Sequence, residues 1–470
     1  MKNLNNYNVL NKVLGVFVFV IFQFSGYSQD ISETTWYGIL DVGSAKIELQ
    51  IHRIDSLESR IVLLDSPMQG VKGLPGEVAL ESDSIRYVFP AIKGELIGVI
   101  SGKKDSLLGK WKQANLEYDI LFTLNPPLST KITINPSEKT YQEKEITFPS
   151  NDPSVQLAGT LTIPNGSGPF PAVVLVSGSG PQDRNSEVFG KKPFEFFAHH
   201  LSNNGIIVLR YDDRGVGKST GDFTSASYPE YFNDITGAVN VLKKLPETDA
   251  SALGIVGHSE GAILAPEAGL RNPEIDFLIM LAGSGAAGRE IITEQMVLIS
   301  GSSGVPKERI KIMSERNNAL FDIVQSDKDS LTKYSYIKSK VEMWAAKDST
   351  ITNPEQTTMQ LSLQLLTRWF YDFLNYSSVP YLAKTKIPVL ALQGELDLQV
   401  PPKKAKETIE SALKLAGNEF GTVLILPELN HLFQKCKTGS PMEYGTIDEA
   451  VNPIVLDLVK NWILSTTNRQ

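Results

Sequence analysis

A serine stands between two glycines in Gly257-His258-Ser259-Glu260-Gly261, directly after the apolar run Leu253–Val256 and before Ala262–Ala265. Where G-x-S-x-G falls between a strand and a helix, the turn is so tight that a side chain at either glycine would strike its neighbours, and the serine hydroxyl projects into open space. A helix cap explains a serine here but does not explain both glycines. A serine hydroxyl is a weak nucleophile until a base takes its proton, and that base is usually a histidine held by a carboxylate. His431, in LPELNHLF, lies just past a late apolar run; the other histidines stand in the amino-terminal region, on an early helix, or beside Ser259. His199 and His200 are adjacent and read as helix surface, and His258 reads as structural. A core histidine satisfied by hydrogen bonds is the plain alternative for His431. The carboxylate comes from GELDLQVPP, where Asp397 follows the strand and its glycine turn. Glu395, two residues earlier, shares a face of any continuing strand and is the competitor. The constellation is one for acyl transfer, with Ser259 as nucleophile, His431 as general base and Asp397 as the orienting acid.

A tetrahedral intermediate needs two backbone amides aimed at its oxyanion, one after the nucleophile and one from the loop after an earlier strand. Glu260 supplies the first, and the second comes from Ser179 or Gly178 in VSGSGPQDRN, with Ser179 favoured. The same glycines suit a phosphate cradle, but no Lys-Ser/Thr ending follows. Arg210, Asp212, Asp213 and Arg214 in RYDDRGVG cluster at another strand end and read as an ion network that orders loops.

These residues need a scaffold. The runs FPAVVLVSGSG, GIIVLRYDDRGVG, ALGIVGHSEG, DFLIMLAGSG, IPVLALQGELD and GTVLILPELNH are apolar on both faces and alternate with helical stretches. That grammar predicts an α/β domain whose doubly wound, mostly parallel sheet is covered on both sides, with its polar residues at the carboxyl ends of the strands. It spans 143–467. About a hundred helix-prone residues between LAGSG and IPVLALQGELD exceed an ordinary connection and predict a helical cap over about 286–380. Its segment RWFYDF places Trp369, Phe370 and Phe373 at helical spacing, which packing explains as well as an acyl pocket does. From residue 30 to 128 the period is two, as in KIELQIH and LEYDILF, with glycines at short intervals. A small all-β barrel or sandwich follows, joined through a Pro-bearing linker at 129–142.

The first 28 residues carry Lys2 and Lys12, an apolar run Val13–Phe22 and small residues at Gly26 and Ser28, the layout of a secretory signal, with an amino-terminal anchor as the plain alternative. No cysteine follows the run, so lipid attachment is not expected, and export to the periplasm or medium is. Removing that segment takes two lysines and no acid, moving the formal charge from −8 to −10. A mildly acidic chain has no electrostatic reason to seek nucleic acid or anionic lipid. Cys436 is the single cysteine and has no internal disulfide partner, and the five histidines show no metal-ligand spacing. The chemistry implied needs no metal and no organic cofactor; the expected partner is a small-molecule ester, and the oligomeric state is left open.

The stretches GSGPQDRN, RYDDRGVGKSTGDF, GHSEG, PVLALQGELDLQVPP and LNHLFQ together resemble the α/β-hydrolase superfamily, more narrowly bacterial carboxylesterases related to the serine aminopeptidase S33 group, over about Glu143 to Leu464. The chain order Ser259, Asp397, His431 is the order of that superfamily. The resemblance implies a secreted or periplasmic serine esterase that uses this catalytic triad on short to medium acyl esters, with a helical cap between the sixth and seventh strands and an attached β module containing DSPMQGVKGLP. Ser177 departs from it, standing where many relatives carry histidine. Two rival readings stay open: a serine peptidase in which Glu260 holds a substrate ammonium, and a non-catalytic envelope-binding protein built on a hydrolase scaffold.

Overall fold

The computed structural model describes residues 34–41, 46–55, 60–66, 71–81, 84–101, 106–113, 116–124 and 139–467. The expected secretory signal, and the linker up to residue 138, lie outside the described residues. Two units are present: one takes the described residues from 34 to 124 with Met442–Asp448, the other those from 139 to Pro441 and from Glu449 to 467.

In the first unit, strands β1 (Thr34–Asp41), β2 (Lys46–Asp55), β3 (Arg60–Ser66), β4 (Val71–Glu81), β5 (Ser84–Phe89), β6 (Gly94–Ile100), β7 (Ser106–Gln113) and β8 (Leu116–Thr123) form a closed barrel. Each pairs antiparallel with the next, and β1 closes on β8 through Tyr37↔Thr123 and Gly38↔Phe122. Of the two all-β forms compatible with period-two sequence, the chain adopts the one without free sheet edges. Alternation decides what fills it: Ile85, Tyr87 and Phe89 on β5, Leu96 on β6, Leu107 and Trp111 on β7, and Ile120 and Phe122 on β8 are buried. Phe89 stacks on Trp111 with ring centroids 5.9 Å apart, so side chains occupy the barrel interior.

The second unit is an eight-stranded sheet in the order β9 (Tyr141–Pro149), β10 (Gln156–Pro164), β12 (Ile207–Tyr211), β11 (Phe170–Val176), β13 (Thr248–His258), β14 (Phe277–Leu281), β15 (Val389–Gly394), β16 (Gly421–Leu426). The six apolar runs are the parallel strands β11 to β16. Two antiparallel strands, β9 and β10, precede them, and the sheet begins at Tyr141, inside the stretch read as linker. Helices α1 (Pro193–Asn203) and α11 (Pro453–Thr467) cover one face, while α2 (Tyr228–Lys244), α3 (Glu260–Arg271) and α10 (Pro402–Ala416) cover the other. Between β14 and β15 the chain leaves the sheet for α4 (Gly288–Ser302), α5 (Lys307–Gln325), α6 (Ser330–Ala345), α7 (Pro354–Leu365), α8 (Arg368–Asn375) and α9 (Val379–Leu382). This excursion buries its own apolar cluster, including Leu320, Phe321, Ile337, Val341, Leu365 and Phe370. An apolar cluster of this size lets the cap hold its shape over the strand ends.

The barrel depends on its largest interior side chain. Trp111→Ala is expected to lower the stability of the barrel unit by about 3–5 kcal/mol through cavity formation, read as faster hydrogen exchange of β5–β8 amides; unchanged protection there would contradict the packing role.

Candidate active site

Three strand ends bring the site together. β13 delivers Ser259, which has φ 54° and ψ −116° and begins helix α3. A Cβ built on Gly257 would lie 2.2 Å from the carbonyl oxygen of Gly261, and one on Gly261 would lie 2.3 Å from that of Val176. Strand, turn and helix therefore approach so closely that only glycine fits on either side of the serine. The backbone is held in this strained form by the Ser259 amide donating to Leu281 O at 2.8 Å and by Ala262 and Ile263 donating to Ser259 O.

Asp397 lies in the loop after β15 and is buried. Its Oδ1 accepts from the amides of Gln399 and Val400 at 2.8 and 2.9 Å, which fixes the carboxylate. Its Oδ2 is 2.7 Å from His431 Nδ1, and His431 Nε2 is 3.0 Å from Ser259 Oγ. The structure thus brings Ser259, His431 and Asp397 into one hydrogen-bonded line. Glu395 is elsewhere: its Oε2 accepts from the Glu428 amide at 3.1 Å. The loop that carries His431 is shaped by Asn430, whose Oδ1 accepts from the amides of Leu432 and Gln434, both at 2.9 Å. His258 supports the same loop from below, its Nε2–H donating to His431 O at 3.0 Å. Burial and the neighbouring His431 ring push His258 down to about 3, so it is neutral and its tautomer is set by that bond.

Ser179 lines the pocket at Ser259, and Glu260 begins the helix whose amino-terminal partial charge favours an anion there. Among the described residues, the amides of Ser179 and Glu260 carry no hydrogen bond. Gly178 passes so near that a Cβ on it would lie 3.2 Å from Ser259 Cβ. The Glu260 side chain, read from sequence as contributing mainly its backbone, is also engaged. Its Oε1 accepts from Tyr228 Oη and from Trp369 Nε1, each at 2.9 Å. Burial pushes its carboxyl up to about 7 against those two hydrogen bonds, and no cation contributes. Trp369 and Phe373 face the pocket from α8, whereas Phe370 turns into the cap core. Trp369 was thus a packing candidate that also donates a hydrogen bond, and no sequence signal announces a partner 109 positions away.

The pocket has a volume of about 40 Å³ and is walled by Ile263, Ile291, Phe373 and Val400, with Gln295 and Gln399 joined by a 3.2 Å hydrogen bond. Helix α8 is tied down over it by three polar contacts: Trp369 to Glu260, Arg368 to Glu230 at 2.8 Å, and Ser227 to Asp372. Around RYDDRGVG the ion pairs include Arg210 with Glu143, Arg184 with Asp212 and Glu145, and Arg214 with Asp234. Among the described residues no group of three or more His, Cys, Asp or Glu is arranged to hold a metal.

Because burial raises the folded-state pKa of Glu260, the unfolded chain releases this proton near 4.5 while the folded protein keeps it to about 7. The stability that this contributes is complete below the lower value and is lost as pH rises toward the upper one. Glu260→Gln removes the titration, so its melting temperature relative to wild type is expected to climb by a few degrees from acid to neutral pH and then level off. A difference that stays flat across that range would show the carboxyl to be ionised throughout.

Residues 191–433, more than half of the chain, match the serine aminopeptidase S33 family. Over 466 residues, covering 97% of this chain and 98% of the relative, the sequence is 25% identical to Esterase EstD of Thermotoga maritima. The esterase Pf2001 of Pyrococcus furiosus is similar in structure at 18% identity, covering 73% of this chain and 100% of that chain with a TM-score of 0.42. A proline iminopeptidase of Mycobacterium smegmatis aligns at 14% identity over 69% of this chain and 99% of its own, with a TM-score of 0.43.

Proposed function

The chain belongs to the serine aminopeptidase S33 family of hydrolases, and from that premise we propose that it is a carboxylesterase acting through Ser259, His431 and Asp397. The observation that carries the reading is the unbroken line from Asp397 Oδ2 through His431 to Ser259 Oγ, at 2.7 and 3.0 Å, with the serine at positive φ. The similarity to Esterase EstD along nearly the whole chain supports it. His431 Nε2 takes the Ser259 proton as Oγ attacks the ester carbonyl, and Asp397 stabilises the imidazolium. The oxyanion rests on the amides of Ser179 and Glu260. The protonated histidine then gives its proton to the departing alcohol, and water activated by the same imidazole releases the acid. No step in this sequence calls for a metal or an organic cofactor.

The pocket at Ser259 is narrow, closed in by Ile263, Ile291, Trp369, Phe373 and Val400. With α8 seated, the acyl chain is therefore short. Turnover of p-nitrophenyl esters is expected to be highest for acetyl to butyryl and about tenfold lower for octanoyl, and Phe373→Ala should move the optimum to longer chains. An octanoyl optimum in wild type would contradict the short-acyl reading. Ser259→Ala is expected to lower kcat on the acetyl ester by about a thousandfold or more with an unchanged circular dichroism spectrum; retained turnover would overturn the nucleophile assignment.

Glu260 favours a second reading. A buried carboxyl that lines the pocket, with no cationic side chain beside it, is suited to a substrate ammonium, as an aminoacyl ester or amide would supply. Under that reading, wild type prefers an alanyl over a propionyl ester and Glu260→Gln abolishes the preference.

Export is proposed on the amino-terminal pattern alone. The mature chain recovered from culture fractions would begin near residue 29, and a chain retained whole in the cytoplasm would refute it.

A further inference from the structure

The loop that carries Ser179 leaves β11 at Val176 and runs over the nucleophile. Backbone amides stabilise an oxyanion only if they are fixed before the charge appears, so something must fix this loop. Gly178 and Gly180 bring no side chain to the task. The anchors are at its two ends, and both meet one residue. Ser177 Oγ donates to Asp213 Oδ1 at 2.8 Å, and the Gln182 amide donates to Asp213 Oδ2 at 2.8 Å. The Asp213 amide returns a bond to Gln182 O at 3.1 Å, and Gln182 Nε2 reaches back to Ser179 O at 3.2 Å. The carboxyl of Asp213 thus spans the loop from its first to its last residue, with Ser179 between.

We propose that Asp213 is a positioning residue for the reaction, clamping the Ser177–Gln182 loop so that the Ser179 amide is aimed at the oxyanion. The proposal rests on the acyl-transfer reading above. Asp213 touches no reacting atom and acts through the loop. Its neighbours in RYDDRGVG do something different: Arg210, Asp212 and Arg214 are each spent on an opposite charge. Among the described residues Asp213 has no such partner. It is faced by Asp234 and Tyr231 on α2 and by Glu260 on α3, and Arg214 beside it is committed to Asp234. Burial, with Asp234 and Glu260 adding to it, pushes the Asp213 carboxyl up to about 8. That shift favours the protonated form and weakens the negative charge behind the oxyanion. The clamp also accounts for serine at position 177, since a hydroxyl there reaches Asp213 at hydrogen-bond distance.

The test is a variant series assayed on the acetyl ester. Asp213→Ala frees both ends of the loop while leaving the backbone bond from residue 213 in place. It is expected to lower kcat by about a hundredfold, the scale of an ångström of misplacement, with KM within about threefold. Affinity for an alkylboronic acid, which forms a tetrahedral adduct on Ser259, should fall with kcat/KM. Asp213→Asn keeps an acceptor for the Gln182 amide and offers an N–H to the Ser177 hydroxyl oxygen, so it is expected to restore kcat to within about fivefold of wild type. Should Asp213→Ala fail to fold, Ser177→Ala decides the matter, because it releases one end only and is expected to cost about tenfold in kcat and in boronate affinity. A folded Asp213→Ala or a Ser177→Ala enzyme with kcat and boronate affinity near wild type overturns the clamp, as does an Asn variant no better than Ala. If those variants are active while Ser259→Ala is dead, the clamp alone is wrong; if Ser259→Ala is itself active, the acyl-transfer reading falls with it.

Discussion

Everything at this site depends on how closely three pieces of backbone can approach one another. The carbonyl of Val176 at the end of β11 and the first turn of α3 stand so near that no Cβ fits at Gly257 or Gly261. That contact forces the chain through a turn in which Ser259 takes a φ of 54°. A non-glycine residue pays for such a conformation, and it persists only when the surroundings over-determine it. Here they do: the parallel pairing of β13 with β11 and β14 fixes the chain before the turn, and the buried start of α3, from Gly261 to Gly269, fixes it after. The serine is left with its hydroxyl outward and its following amide unoccupied, as a product of packing around it.

The remaining groups are placed by the same sheet, at successive strand ends. Because β14, β15 and β16 run parallel to β13, the loops after β15 and β16 emerge on its side of the domain, and Asp397 and His431 are carried there without long excursions. Each loop is then stiffened from within, Asp397 by the amides of Gln399 and Val400 and the histidine loop by Asn430. His258 links the two systems, since it belongs to the nucleophile turn and supports the carbonyl of His431. Its ring therefore joins the serine turn to the loop that carries His431.

What the sequence made legible followed from strong periodicity and from residues whose chemistry restricts their place. The six runs from FPAVVLV to GTVLILP are continuously apolar because both faces of those strands are buried, and they read as a parallel sheet at once. Strands β9 and β10 were missed for opposite reasons. On β9, Glu143, Lys144 and Glu145 face solvent at the sheet edge, so the strand lacks an apolar run. On β10, Ala158, Gly159, Thr160 and Thr162 are buried but carry little hydrophobic signal. Trp369 could be placed on a helix by spacing, yet its bond to Glu260 joins segments that only the cap brings together. Asp213 was visible as one charge among four in RYDDRGVG, and nothing in the order of letters separates it from Asp212, which is ion-paired to Arg184.

That separation carries a physical meaning. Asp212 has its carboxylate held below the ordinary range by Arg184 and by backbone amides, even though burial works against it. Asp213 and Glu260, beside the serine turn, have no cationic partner among the described residues and are both pushed upward by burial. In the proposed reaction, an ionised carboxylate this near the oxyanion would raise the energy of the charge that the amides of Ser179 and Glu260 are proposed to lower. A carboxyl whose protonated form is favoured by burial keeps the hydrogen-bonding capacity of the side chain and weakens that opposing field. The same low-dielectric surroundings that make a lone carboxylate costly therefore favour the protonated form of two acids beside the serine turn. One accepts from Ser177 and the Gln182 amide, and the other from Tyr228 and the cap residue Trp369.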